Sequence, residues 1–265
     1  MSTIKTSAVS LDRIVAYLDQ LLETSTTPDY PNALNGLQLS NKGSVTKIAG
    51  AVDFSTSVID ATIEANADLL LVHHGMFWSG LKRIDGNTYH QIRRLLDADV
   101  AVYSSHLPLD RHPRLGNNVL LAKQLGLTPT HPFARFNEIF VGTQGRSDIE
   151  TSTLLARAQA FSQAHGGTVI SAGITDPSRM TRRWAICTGA GASAETLAEA
   201  TRDGVDTLIV GEGAHWTAID AAERGIAILY IGHYASETLG VYALADDLTR
   251  EFQLDNVKIV SPTGL

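Results

Sequence analysis

The sequence predicts an α/β protein with mixed, largely parallel sheets arranged as two related lobes. Three observations carry this reading. Short apolar runs alternate with amphipathic helical stretches, several of those runs stop abruptly at polar residues, and the second half can be laid on the first. The chain has 265 residues, 44% hydrophobic and 18% charged, which is enough for a sizeable core in one large domain or two small ones.

The elements follow in order. "SLDRIVAYLDQLLE" puts Leu11, Ile14, Val15, Leu18, Leu21 and Leu22 on one face of an opening helix, with Ser10 as its N-cap and Asp12 in the first turn. "VTKIAGAV" reads as a strand, "STSVIDATIEANA" as a helix capped by Ser55 or Thr56, and "DLLLVHH" as the next strand, which together make a parallel-sheet unit. "YHQIRRLLDAD", "VAVYSSH" and "NNVLLAKQLGL" continue as helix, strand and helix, and "TPTHPFARFNEIF" reads as a loop. Beyond it, "STLLARAQAFSQAHG" is a helix and "RRWAICTGA" a strand. "SAETLAEATRDGV", "DTLIVGEGAHW", "TAIDAAERGI", "AILYIGHYASE" and "TLGVYALADDLTREF" repeat the same alternation.

"STSVIDATIEANADLLLVHHGMFW" aligns without a gap on "SAETLAEATRDGVDTLIVGEGAHW", matching Ser55 with Ser193, Asp68 with Asp206, Gly75 with Gly213 and Trp78 with Trp216. Downstream, "VAVYSSHLPLD" lies on "AILYIGHYASE", matching His106 with His233 and Asp110 with Glu237. A duplication explains the match, although βα units also resemble one another without common descent.

The formal charge of −7, with basic residues scattered, argues against a protein whose main task is gripping nucleic acid or an anionic membrane. The single cysteine, Cys187, sits in the apolar run "RRWAICTG" and reads as a core residue, so a disulfide framework or a thiolate zinc site is excluded. "MSTIKTSAVSLDRIVAYLDQLLE" has no apolar segment long enough for a leader, and no later segment approaches ~20 apolar residues. A cytoplasmic location is the expectation.

Ligands of open α/β sites gather at the carboxyl ends of strands. Three expected strands end there in groups able to bind metal: His73 with His74, His106 followed by Asp110, and His233 followed by Glu237. Neighbouring strand residues point to opposite faces, so His73 and His74 cannot serve one ion unless the strand has ended or two ions are present. Imidazole and carboxylate together suit Zn, Mn, Fe or Co, and a carboxylate can bridge two ions. Each feature alone has a plainer reading: a histidine pair can be a hydrogen-bonded structural pair, and an HxxxD or HxxxE spacing can be a local ion pair. Three together point to metal, with His106 the group best suited to a hydrogen-bonding part.

Glu212 and His215, in "VGEGAHW", hold the place in the second half that the histidine pair holds in the first. They are candidate catalytic groups for proton transfer or substrate binding, the alternative being a capped turn before a helix near Thr217. "CTGAGAS" reads as a tight turn rather than a phosphate loop. His90, His112, His131 and His165 receive no role, and the Asn-Gly pair of "NALNGLQLS" reads as a turn.

"LVHHGMFWSG", "HLPLDRHPRLGNN", "GEGAHW" and "GHYASE" resemble, in order and separation, the Nif-three-like proteins, often labelled GTP cyclohydrolase 1 type 2 homologues. The resemblance runs from "NGLQ" to the C-terminal helix. It implies a two-lobed α/β subunit, with residues 1–125 and 226–265 in the first lobe and 126–225 in the second. It implies a toroidal homohexamer of stacked trimers or a trimer of dimers. It also implies two divalent transition-metal ions per subunit, drawn from Zn, Fe, Mn, Co and Ni, at a cleft facing the inner cavity.

The ligands carried over by the resemblance are His73, His74, Asp110, His233 and Glu237, with His106 a neighbour of the site. The family's Trp-Asp-Asn before its Gly-Leu pair is matched here at Asn35, Gly36, Leu37 and Gln38, while "PDYPNAL" departs upstream. The chain is too short for the inserted domain of longer members. The activity implied is metal-dependent hydrolysis of a phosphate ester, nucleotide or related small molecule. The alternative is a non-catalytic assembly that stores, delivers or senses metal.

Overall fold

Apolar runs rich in Val, Ile and Leu form the strands, and amphipathic stretches, several of them opened by Ser or Asp, form the helices, in a computed structural model that describes residues 7–176 and 178–265. The first six residues, part of the stretch expected to carry no leader, lie outside the described residues.

The chain opens with β1 (Val9–Ser10), α1 (Leu11–Leu21), β2 (Gly36–Leu39), β3 (Ser44–Val45), β4 (Lys47–Asp53), α2 (Thr56–Glu64), β5 (Leu69–His74), α3 (Gly86–Asp97), β6 (Ala101–Ser104) and the one-turn α4 (Leu107–Asp110). There follow α5 (Asn117–Gln124), β7 (His131–Phe136), β8 (Ile139–Glu150), α6 (Thr151–Ala164), β9 (Ile170–Ala172) and β10 (Met180–Cys187). The chain closes with α7 (Ala194–Arg202), β11 (Thr207–Val210), α8 (His215–Glu223), β12 (Ala227–Tyr230), α9 (His233–Phe252) and β13 (Asp255–Lys258). It divides into two units, one running to Leu109 and resuming over Val241–Ser261, the other comprising Asp110–Gly240 and Pro262–Leu265.

The first unit holds a five-stranded sheet of order β13-β4-β5-β6-β2, parallel except for the β2–β6 pair. Ala49, Ala51, Leu70, Val72 and Val102 on one face of this sheet pack with Val58 and Ile59 of α2 and Leu95 of α3.

The second unit holds a six-stranded sheet of order β7-β8-β10-β11-β12-β9, parallel only along β10-β11-β12. Alternation along those three strands sends Ile186, Ile209 and Leu229 to one core, with α5 and α6. Ala185, Cys187, Leu208, Val210 and Ile228 go to the other, with α7 and α8. Cys187 is therefore a core residue, as expected.

The internal repeat is visible in structure as well as in alignment. Both units carry three adjacent parallel strands linked by two helices, β4-α2-β5-α3-β6 and β10-α7-β11-α8-β12. Ser55 caps α2 by accepting from the Val58 amide, and Ser193 caps α7 in a capping box with Thr196. Asp68, just before β5, accepts the amides of Thr46 and Lys47 at 2.6 and 3.0 Å. Asp206, just before β11, accepts those of Arg182 and Arg183 at 3.0 and 2.8 Å. Matching residues thus perform one job twice, tying a strand to the start of its neighbour.

Several expectations need correction. Ser10 makes no side-chain cap on α1; the Leu11 amide instead donates to the Gly43 carbonyl at 3.0 Å. The stretch "TPTHPFARFNEIF" is not a loop but carries β7 and the start of β8, a hairpin turning at Asn137 with φ 51°. Neighbours on both sides supply the pairing that its broken alternation conceals. The edge strands β9 and β13 were likewise not expected. They are only three and four residues long, and each pairs with a neighbouring strand that offers it hydrogen bonds.

Candidate metal centre

Two clusters of candidate ligands stand at strand ends, one in each unit. In the first unit His73 and His74 are the last two residues of β5, and His106 follows β6. All three are buried, at 0%, 8% and 7% exposure. Their ring centroids are 4.9 Å (His73 to His74), 4.9 Å (His73 to His106) and 5.7 Å (His74 to His106) apart. One ring nitrogen from each lies within 4.8 Å of the others. His73 and His74 stand at the end of the strand, the condition under which both could serve one site, with a local anchor for each ring.

Those anchors define the tautomers. Nδ1 of His73 meets the Ser105 carbonyl at 2.9 Å, Nδ1 of His74 meets Asp53 at 2.8 Å, and Nδ1 of His106 meets Asp29 at 2.8 Å. A carbonyl or a carboxylate can only accept, so each Nδ1 donates in its contact and Nε2 is the ring atom through which a metal would be held. Imidazoles that bind metals are oriented in this way.

Sequence reading missed the support behind His106. Asp29, in "PDYPNAL", accepts from His106 Nδ1, Asn35 Nδ2 and the Leu107 amide, and Asn35 Oδ1 accepts the His106 amide at 2.7 Å. The Asn-Gly pair is therefore no mere turn. Gln38 accepts the Met76 amide at 2.7 Å and approaches Gly75 so closely that a Cβ there would overlap its side-chain amide. Trp78 closes the cluster, its ring 4.5 Å from His106 and 5.0 Å from His74.

Burial raises the Asp29 pKa, but the hydrogen bond and charge of His106, with Asn35 and the Leu107 amide, together bring it below 3.8. A depressed carboxylate pKa means that the stabilisation is complete above the unfolded value and is lost as pH falls through the folded one. The melting-temperature difference between wild type and Asp29→Asn should shrink as pH falls below 3.8. A difference that is unchanged at pH 3 would refute the pair.

In the second unit Asp110 and Glu237 are buried, at 6% and 2% exposure. Asn117 Nδ2 donates to Asp110 at 2.8 Å, and the other side of the same amide accepts from the Gly240 backbone. His233 opens α9, with Nε2 3.1 Å from Glu237 and Nδ1 2.8 Å from Glu212. Burial lowers the His233 pKa, but Glu237 and then Glu212 outweigh it and lift the imidazole to about 9. The proton held there occupies a position a divalent cation could take. Burial first, then the charges of Asp110, Glu237 and Glu199, push the Cys187 thiol up to about 12, so it is inert. Gly189, at φ +62°, lies so close to Glu237 that a Cβ would overlap the carboxylate.

Glu212 thus meets a histidine Nδ1, as Asp53 and Asp29 do. His215 stands apart from the ligand set as the exposed first residue of α8, lining with Glu212 a cavity of about 310 Å³. Helix α8 begins at His215 rather than near Thr217. No helix among the described residues is long and apolar enough to cross a membrane.

The chain is similar to a Deinococcus radiodurans protein named GTP cyclohydrolase 1 type 2 homolog, 36% identical over 97% of this chain and 95% of that one. A Halobacterium salinarum protein of the same name is 39% identical over 94% and 96%. Among solved structures, protein ybgI, described as of unknown function, superposes with a TM-score of 0.87 at 32% identity, over 97% of this chain and 100% of that one. A Thermus thermophilus protein gives 0.81 at 30%, with the same coverage of both chains. The profile of one family matches residues 9–263, so the chain belongs to the DUF34/NIF3 (NGG1p interacting factor 3) family.

Proposed function

We propose that this protein is a metal-dependent hydrolase acting on a phosphate ester, nucleotide or related small molecule. In this reading His73, His74, Asp110, His233 and Glu237 hold two divalent transition-metal ions, and the working form is a ring-shaped homohexamer. The observation that carries it is the gathering of His73, His74 and His106, whose ligand-competent ring atoms lie within 4.8 Å of one another while each Nδ1 meets an oxygen acceptor. Buried carboxylates at Asp110 and Glu237 supply the negative charge such ions need.

When bound, a pair of such ions polarises a substrate oxygen and lowers the pKa of a coordinated water to about 7. Asp53 and Glu212 orient His74 and His233, and Asp29 holds His106 in place. His215, exposed at the start of α8, is the group left for proton transfer.

The test is a screen of phosphate monoesters, diesters and nucleotides, GTP included, with protein loaded separately with Zn, Mn, Fe, Co and Ni. Turnover should vanish on chelation and return with metal, and His215→Gln should lower it about 100-fold at unchanged metal content. One observation favours a second reading. Glu212, one of the two groups the sequence offers for proton transfer, is in contact with His233. Full metal loading with no turnover on any substrate would establish a metal-handling assembly instead.

A further inference from the structure

A cavity of about 760 Å³ opens in the first unit, with His74 among its lining residues. Small-molecule sites fall at roughly 300–1,000 Å³. Asp53, Phe54, Phe77, Trp78 and Lys82 also line it. Trp78 belongs at once to this wall and to the cover over His74 and His106.

Shape and charge together narrow the ligand. Aromatic walls favour a flat ring, because stacked or edge-on ring pairs add to what burial alone contributes. Two further lining residues, Leu81 and Ile84, are 102% and 66% exposed, so apolar surface stands in water where a ligand could cover it. Of the two charged lining residues, Asp53 repels an anion and Lys82 attracts one, which directs a ligand's negative group toward Lys82.

We propose that this cavity binds a flat aromatic molecule carrying one anionic group, with the ring against Trp78 and the anion at Lys82. Binding stands on the cavity alone; its meaning as the substrate site rests on the hydrolase reading above.

The experiment is calorimetric titration of the metal-loaded full chain with 1-naphthalenesulfonate, and with methanesulfonate, which has the anion without the ring. The aromatic probe should saturate at one site per chain and methanesulfonate should not bind. Lys82→Met and Ile84→Glu should each weaken the aromatic probe at least about 5-fold, since one loses the attraction and the other adds a repelling charge. Leu96→Glu, on an exposed part of α3 outside the cavity, should not change it. No saturable binding, or equal loss in all three variants, overturns the proposal. Metal content measured in the same samples separates the two readings. Metal retained without ring binding sinks only the cavity, and ring binding retained without metal sinks only the metal reading.

Discussion

Glu237→Gln is expected to lower metal affinity at least about 100-fold, beyond the 10–100-fold typical of losing an outer partner, while the fold survives. Glu237 is only 2% exposed, one helical turn after His233, and His74 is buried as well, at 8%. Alanine at either place would leave a hole as well as remove a candidate ligand. Glutamine keeps the volume and removes only the charge. Glu212→Gln is the comparison, because Glu212 touches His233 and is not itself in the ligand set; its loss should fall within the 10–100-fold range. Elemental analysis beside thermal melting separates metal loss from unfolding. Wild-type metal binding by the glutamine variant would remove Glu237 from the site.

Gly191→Ala should destabilise the second unit by about 3 kcal/mol, a fall of roughly 6–12 °C in melting temperature. A Cβ at Gly191 would overlap the Cys187 carbonyl oxygen, and backbone at the end of a central strand cannot step aside. Gly189→Ala, two residues earlier, should behave differently. There the overlapping atom is the far end of the Glu237 side chain, which can swing away at the expense of its place beside His233. Backbone at φ +62° adds a cost of about 1 kcal/mol for alanine. Gly191→Ala should therefore lose stability first and Gly189→Ala metal first. Equal melting temperatures for Gly191→Ala and wild type would show that the loop yields.

Much of this was legible in the sequence because the informative groups are local. Period-2 and period-3.6 patterns place β4, α2, β5, α3 and β6, and the gapless alignment of Asp68 on Asp206 anticipates two carboxylates that tie strands together in the same way. His73, His74 and His106 stand out because apolar strands end in them. The partners of those histidines do not. Asp29 lies 77 residues from His106, and Asp53 lies 21 from His74, so no local pattern announces either pair. The β7–β8 hairpin was missed because its alternation is broken by Pro132 and by Ala134 at φ 57°, and its β-structure rests on partners elsewhere in the sheet. The contact between Glu212 and His233 is hidden for the same reason, since it spans 21 residues.

The most direct test of the central claim is the metal content of protein purified without added metal or chelator, measured by elemental analysis together with molar mass by light scattering. About two transition-metal ions per chain in a six-chain particle are the expected result. A metal-free protein that also fails to take up Zn, Mn, Fe, Co or Ni on dialysis would contradict it and leave the imidazoles of His73, His74 and His106 as a structural cluster.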